Sequence, residues 1–445
     1  MDGSLNPAAG PRRRVAVIGA GIAGLSAAWL LARRHDVVLY ERDGRLGGHA
    51  NTVTVALPGG SVDVDTGFIV YNEPNYPNLT ALFRHLGVAT QPSDMSFAAS
   101  LRDGRLEYAG SARGLFAQPA NAVRPRTWRM VADLLRFYRK APDLLAGPHG
   151  ATMSLGEYLA RERYSAAFVE DHLLPMGAAI WSTPPAEMLR YPAAAFVAFW
   201  RNHGLLRLTA RPPWRTVTGG SRAYVARLAA DTPAEVRLGA RIARVRRTAA
   251  GVVVEERDGR RTAFDRAVIA THADEALALL ADPSVEERRI LGAFRCTANR
   301  AVLHSDPALM PRRRRLWSSW NFIGAPQGDP AAPACVSYWM NRLQRLPAAT
   351  PLIVTLNPVR APDPALVHAE FDYGHPFYDS AALAAQGALW RLQGARRTWY
   401  CGSYFGDGFH EDALAAGLAA GEAAGGVAPP WTAAPVAAED ARAVA

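Results

Sequence analysis

Val15 to Glu41 reads VAVIGAGIAGLSAAWLLARRHDVVLYE, and the rest of the chain is organised around it. The apolar run Val15–Ile18 is short enough to be a strand buried on both faces. Gly19, Gly21 and Gly24 follow in the spacing G-x-G-x-x-G, and Leu25, Ala28, Trp29 and Leu31 then recur at helical spacing. A second apolar run, Val37 to Tyr40, ends in Glu41, 17 residues after Gly24. Strand, glycine turn, helix, strand and terminal acid make a complete βαβ dinucleotide fingerprint. Gly19 permits the tight turn, Gly21 lets backbone approach a pyrophosphate, and Gly24 lets the helix pack on the strand. The phosphates then meet the free N–H groups and positive dipole end of a helix.

Arg45-Leu46-Gly47-Gly48-His49 comes next. This R-x-G-G run resembles the extended flavin signature of the amine oxidase and carotenoid (phytoene) desaturase superfamily. The resemblance implies FAD, with the arginine and second glycine pair along its diphosphate. Asp65-Thr66-Gly67-Phe68 and then IVYNEPNYPNL, Ile69 to Leu79, narrow it. GGHxNT followed by DTGFIVYNxxxYPNL is similar to a bacterial group of predicted NAD/FAD-dependent oxidoreductases, and the likeness extends over most of the chain. It carries FAD contacts onto Gly19, Gly21, Ile22, Ala23, Gly24, Glu41, Arg42, Arg45, Gly47, Gly48 and His49, and a turn past the isoalloxazine edge onto Asp65, Thr66 and Gly67.

Composition is that of an ordinary globular protein, with 49% hydrophobic and 20% charged residues. The net charge of +10 is carried almost wholly by arginine, since Lys140 is the only lysine. No nucleic-acid motif accompanies it, so the basic balance reads as a surface that favours anionic substrates, partners or membranes. Cys296, Cys335 and Cys401 are odd in number and lack metal-ligand spacing, which fits a reducing cytoplasm and no metal site. The arginines before Val15 are followed by the nucleotide strand rather than a signal peptide. No run reaches the length of a spanning helix.

Thr52–Leu57 and Ser61–Val64 read as a hairpin about Pro58-Gly59-Gly60. From Thr80 to Leu206 the pattern is mainly helical, with amphipathic faces at Leu79, Leu82, Phe83 and Leu86 and at Trp128 to Tyr138. Leu173–Trp181 and Ala193–Leu206 are greasy enough to be core, or else the wall of an apolar tunnel. Strands dominate from Asn299 to about Tyr378 and bring Trp317, Trp320, Tyr338, Trp339, Tyr373 and His375, as core packing or as flavin-pocket lining. Arg312–Arg315 reads as a solvated turn or, less simply, as a contact with an anionic membrane.

Gly219-Gly220-Ser221 before a helical Tyr224–Leu228 resembles the superfamily's return to the flavin domain. Val236 to Val245, Val252–Glu256 and Arg261–Phe264 look like its crossing sheet, which implies adenine contacts near Ile242 and Val245. Ala267–His272 resembles the closing A-T-x strand, with Thr271 at its turn. Trp399–Gly402 and then Gly406 to Ala413 resemble the final motif, which implies Gly402, Asp407, Glu411 and Ala413 beside the flavin.

The expected fold is α/β with an α+β second domain. It comprises a Rossmann-like FAD-binding domain of the glutathione-reductase-like or amine oxidase type, and an inserted substrate domain of helices plus a mixed sheet. Residues 13–78, 211–280 and 396–426 form the first, 79–210 and 281–395 the second, and 1–12 and 427–445 are flexible tails. Amine oxidases of this superfamily often place a lysine near flavin N5 after the glycine return. Phe294–Arg300 offers only arginines, which stay charged and cannot act as ordinary bases. The expected reaction is therefore hydride transfer from an apolar acyl-lipid or isoprenoid substrate to flavin N5, by desaturation or oxidation. The family hint points the same way, because such proteins often accompany fatty-acid-modifying methyltransferases. Alternatives are an amine or amino-acid oxidase, a double-bond isomerase and a non-catalytic flavin-binding partner protein. Candidate catalytic residues are His49, Arg300, Tyr373, His375 and His410. The expected location is cytoplasmic, peripheral to the inner membrane if the arginine-rich surface contacts lipid.

Overall fold

The computed structural model describes residues 11–146, 153–325, 329–347 and 349–432. The chain divides into two compact units. One is built from the chain up to Gly48, from Val225–Ala293 and from Ala385 onward; the other from His49–Tyr224 and Phe294–Ala384.

In the first unit, Arg14–Ile18 is the centre of a five-stranded parallel sheet. Its neighbours are Asp36–Tyr40 and Arg266–Ile269, and the edges are Glu235–Arg237 and Thr398–Tyr400. The central strand is buried on both faces from Val15 to Ile18, as a strand covered by helices on both sides must be. The helix Ile22–Leu31 is buried at every position, because a second helix, His410–Ala423, lies against it. Small residues make this possible: a Cβ on Gly417 would sit 2.2 Å from the Ala23 carbonyl oxygen. Ile242–Arg247, Val252–Glu256 and Arg261–Phe264 form the separate antiparallel sheet that the sequence suggests. Residues 427–432 are not loose: the Val427 N–H donates to the Leu30 carbonyl, and Trp431 stacks on Trp29 at 5.7 Å. Residues 1–10 and 433–445 of the expected tails lie outside the described residues.

The second unit is organised by a seven-stranded mixed sheet. Its order is Val367–Phe377, Arg295–His304, Ile353–Leu356, Cys335–Trp339, Trp320–Ile323, Phe97–Leu101 and Leu106–Ala109. The last two strands interrupt the stretch expected to be mainly helical; Phe97–Leu101 joins by a parallel pairing with Trp320–Ile323. The hairpin Thr52–Leu57 with Gly60–Asp65 also packs within this unit rather than with the nucleotide sheet. The greasy stretches are core. Trp181 meets Tyr191, Phe196 and Phe199 at 4.7–5.5 Å, and Phe196 stacks on Trp200. Trp317 is core as well, packed with Met310, Ile353 and Trp339. Among the described residues no helix is long and apolar enough to cross a membrane.

Candidate functional site

The glycine turn of the first unit is shaped by close approaches. Gly19 has φ +99°, and Gly24 sits where an added Cβ would lie 1.8 Å from the Gly19 carbonyl oxygen, so a side chain there would push the helix off the strand. Gly21, by contrast, has no atom within 4 Å of its Cβ position. The helix that begins after it has no side-chain cap and no acidic residue in its first turn. An uncapped, dipole-positive helix end behind an open glycine is what a diphosphate requires.

The R-x-G-G turn lies directly alongside. The Gly47 N–H donates to the Ala20 carbonyl at 2.8 Å, Gly21 and Gly47 form a parallel bridge, and the Gly48 Cβ position is 3.1 Å from Gly21 Cα. The Arg45 guanidinium folds back on this turn and donates to the Gly48 carbonyl at 2.8 Å. Glu41 is buried; its carboxylate accepts from the Ala20 and Asp43 N–H groups at 2.8 and 2.9 Å, which anchors the acid at the end of the second strand. Thr271 packs its methyl against Gly19, and its carbonyl approaches Gly402. Three segments distant in sequence thus converge on one turn.

Two expected contacts are otherwise engaged. Arg42 is ion-paired with Glu275 at 2.7 Å. Val245 is buried, and its carbonyl accepts the Ala281 N–H; Ile242, three residues before it, is half-buried at a bulge. At the start of the last helix, the Asp412 carboxylate accepts the Phe409 N–H at 2.8 Å. Burial raises the Asp407 carboxyl to about 6, and Asp412 is raised by burial and by the Asp407 charge. Two carboxyls so placed resist ionising together. Crowding also lowers the His410 imidazole to about 3, which keeps it neutral although part of its surface is accessible. Glu411 and Ala413 occupy the first turn of the same helix and are half-buried.

In the second unit a polar and aromatic cluster gathers around Tyr373. Its hydroxyl accepts from Asn51 Nδ2 at 2.9 Å and is 2.8 Å from Thr66 Oγ1. The His49 ring is 4.9 Å from Tyr373 and 5.6 Å from His375. Both imidazoles are half-buried, while Tyr373 is buried. The turn Asp65-Thr66-Gly67 is seated on His49, since the His49 carbonyl accepts the Phe68 N–H and a Cβ on Gly67 would be 2.2 Å from it. Strand register supplies the rest. Tyr373 pairs with Asn299 and His375 with Thr297, so these four share one face of the ribbon.

Arg300 pairs with Asp372, one residue out of phase, and so projects to the other face, where it binds Glu370 at 2.7 Å in solvent. It is not part of the cluster. Asp65 has a different role from the one its motif implies. Its carboxylate accepts from the Ser221 N–H and hydroxyl, from Thr52 and from Gln344, and its own N–H donates to Gln344. Fully buried, with its carboxyl raised to about 6 by that burial, Asp65 ties together the hairpin, the glycine return and the end of the short helix Met340–Leu343. Asn51, Asn299 and Gln344 were not singled out from sequence. Asn51 stands within the GGHxNT run, which is the available signal; Asn299 becomes visible only through strand pairing, and Gln344, at the end of the short helix Met340–Leu343, only through its hydrogen bonds to Asp65.

Comparison with known proteins agrees with this geometry. The family described as flavin containing amine oxidoreductase matches residues 22–302, more than half of the chain. The chain belongs to that family. It is an FAD-dependent oxidoreductase, with FAD as its cofactor. Among solved structures it is similar to a CLA-producing fatty acid isomerase from P. acnes (17% identity, 92% of this chain and 97% of that one, TM-score 0.66). It is also similar to cyclohexylamine oxidase from Brevibacterium oxydans IH-35A (16% identity, 93% and 99%, TM-score 0.68) and to putrescine oxidase (16% identity, 93% and 98%, TM-score 0.66). At these identities the likeness concerns the fold. A search of curated proteins finds no match.

Proposed function

We propose that the enzyme oxidises or desaturates an apolar, acyl-type substrate. FAD, when bound, accepts a hydride at N5 and is reoxidised by oxygen or another acceptor. The uncapped helix end at Gly21, with Gly47 and Gly48 beside it, would hold the diphosphate, and Glu41 the adenosine ribose.

The observation that carries the reading is the character of the ribbon formed by Arg295–His304 and Val367–Phe377. One face presents Thr297, Asn299, Tyr373 and His375. Its arginines are spent elsewhere, Arg295 on Asp379 and Arg300 on Glu370. The only lysine, Lys140, pairs with Glu162 in the helical region. The neighbouring groups able to take a proton are the imidazoles of His49 and His375, which suits a desaturation, in which the carbon next to the one that gives up its hydride must lose a proton for the double bond to form. The fold likeness to a fatty acid isomerase supports an acyl substrate, and the family name supports an amine; the ribbon favours the first. Isomerisation of a double bond would use the same residues with no net redox change.

The test is an anaerobic visible spectrum of the FAD-loaded enzyme with a fatty-acid mixture in one cuvette and mixed alkyl amines in another. Bleaching of the flavin bands by the fatty acids alone is the expected result. Bleaching by amines alone would replace the reading with an amine oxidase. If neither bleaches the flavin, positional analysis of the recovered fatty acids decides for or against isomerisation.

A further inference from the structure

The second unit carries one surface with no part in the cluster around Tyr373. Of the seven large hydrophobic residues exposed among the described residues, three fall within thirteen positions: Val123, Trp128 and Leu135, exposed by 82%, 53% and 47%. Scattered exposed apolar residues are ordinary; a concentration on one segment is not. The helix Pro125–Lys140 turns Thr127, Met130 and Phe137 inward. Trp128 and Leu135, seven residues apart, therefore share its outer stripe. The Trp128 indole N–H donates to the Ala122 carbonyl at 2.8 Å, and its ring rests on Phe116 at 5.3 Å. Its polar edge is thus satisfied by the protein while the ring stays exposed, the arrangement of an interfacial aromatic anchor.

Arginines stand on both sides of this helix. A cleft of about 470 Å³ opens beside the start of the helix, on the side of the inward-turned Thr127 and Met130, and is lined by Arg102, Arg105, Arg124 and Arg126 together with the acids Glu170 and Asp171; Glu170 accepts from Arg126 at 2.7 Å. Asp171, buried at its base, accepts from Arg102 and Arg126 at 2.5 and 2.6 Å, which fixes two guanidinium groups in place. Arg124 is held by the Arg105 carbonyl at 2.8 Å. Arg129 and Arg139 are exposed on the helix itself. Arg312–Arg315 adjoins the hairpin of Phe97–Leu101 and Leu106–Ala109: Arg313 reaches the buried Glu107 at 2.6 Å, and Arg312 pairs with Asp103. The expected solvated turn is therefore tied to this face.

We propose that this face docks the enzyme on an anionic phospholipid bilayer. Trp128 and Leu135 enter the acyl boundary, and the exposed Arg129 and Arg139 of the same helix meet headgroup phosphates. Charge complementarity selects this occupant: an apolar pair flanked by Arg129 and Arg139 matches a negatively charged interface, and its helix lies in the plane instead of spanning. The inference stands apart from the substrate reading, because the surface is the same whichever molecule is oxidised.

The test is cosedimentation of the FAD-loaded full chain with vesicles of phosphatidylcholine alone, or of phosphatidylcholine with phosphatidylglycerol at about 3:1, at about 0.1 M salt. Binding to the anionic vesicles is expected to exceed that to neutral ones at least about tenfold and to be lost at high salt. Arg129→Glu with Arg139→Glu should lower it by about fivefold or more per position, and Trp128→Ser with Leu135→Ser about tenfold. An unchanged flavin spectrum reports that each variant is folded, and the two variant sets act independently of each other. Absence of binding to anionic vesicles, equal binding to neutral ones, or wild-type binding by both variants overturns the proposal.

Discussion

The two units carry their chemistry in different currencies. In the first, the chemistry resides in backbone: an open glycine, a helix end without a cap, and two glycine turns laid side by side. In the second it resides in side chains, His49, Asn51, Thr66, Tyr373 and His375, brought together by the pairing of strands far apart in sequence. A backbone site tolerates many neighbours but no added atom. A side-chain site tolerates small geometric changes but depends on register, where one residue of slip moves a group to the opposite face.

The sharpest way to break this contrast is Gly24→Val. The added carbon would fall 1.8 Å from the Gly19 carbonyl oxygen, and flavin retention should weaken on the order of 100-fold or the protein should fail to fold. Absorbance of the purified variant near the flavin bands, with circular dichroism beside it, measures this. A fully yellow variant would remove the backbone reading of the first unit.

Asp65→Ala addresses the second unit at its tie-point. The substitution leaves the Ser221, Thr52 and Gln344 donors without an acceptor and should cost about 3–5 kcal/mol of stability, measured by denaturant unfolding. Its pH dependence has a definite sign. Because burial raises the folded carboxyl to about 6, the wild type binds its proton more tightly when folded and loses stability as pH rises from about 4 to about 6. The alanine variant should lack this component.

The smallest expected effect lies on the wrong face of the ribbon. Arg300→Ala removes only an exposed ion pair with Glu370, worth at most about 1 kcal/mol, and should leave flavin bleaching by substrate within about twofold of wild type. Tyr373→Phe, one face over, removes the acceptor for Asn51 and the hydroxyl partner of Thr66 and should slow bleaching by about tenfold or more. Equal effects from the two substitutions would erase the distinction drawn by register.

The same contrast explains what could be read from the chain alone. The first unit was legible because its signal is local: strand, glycine turn, helix and acid lie within 27 residues. Tyr373 and His375 were visible as residue types, yet their company with His49 depends on pairing that no local pattern encodes. Arg300 was misplaced for the same reason, by a parity of one. The strands Phe97–Leu101 and Leu106–Ala109 pair locally across Asp103-Gly104, a hairpin signal that the helical reading of the surrounding stretch passed over; only the pairing with Trp320–Ile323, more than 200 residues away, lies beyond local pattern. Residues 427–432 read as a tail because the stretch is rich in alanine and proline, and no local pattern shows that Trp431 stacks on Trp29.

The pairing of Thr398–Tyr400 with Arg266–Ile269, and the seating of His410–Ala423 on Ile22–Leu31, have a consequence for biosynthesis. The nucleotide unit begins to emerge first from the ribosome and is completed only after residue 423 has been added. At about 5–20 residues per second, the glycine turn waits roughly 20–80 s for the helix that covers it. During that interval the whole second unit is made and has time to fold. Cofactor capture is thus a late event in the life of each molecule, and one that reports on nearly the entire chain.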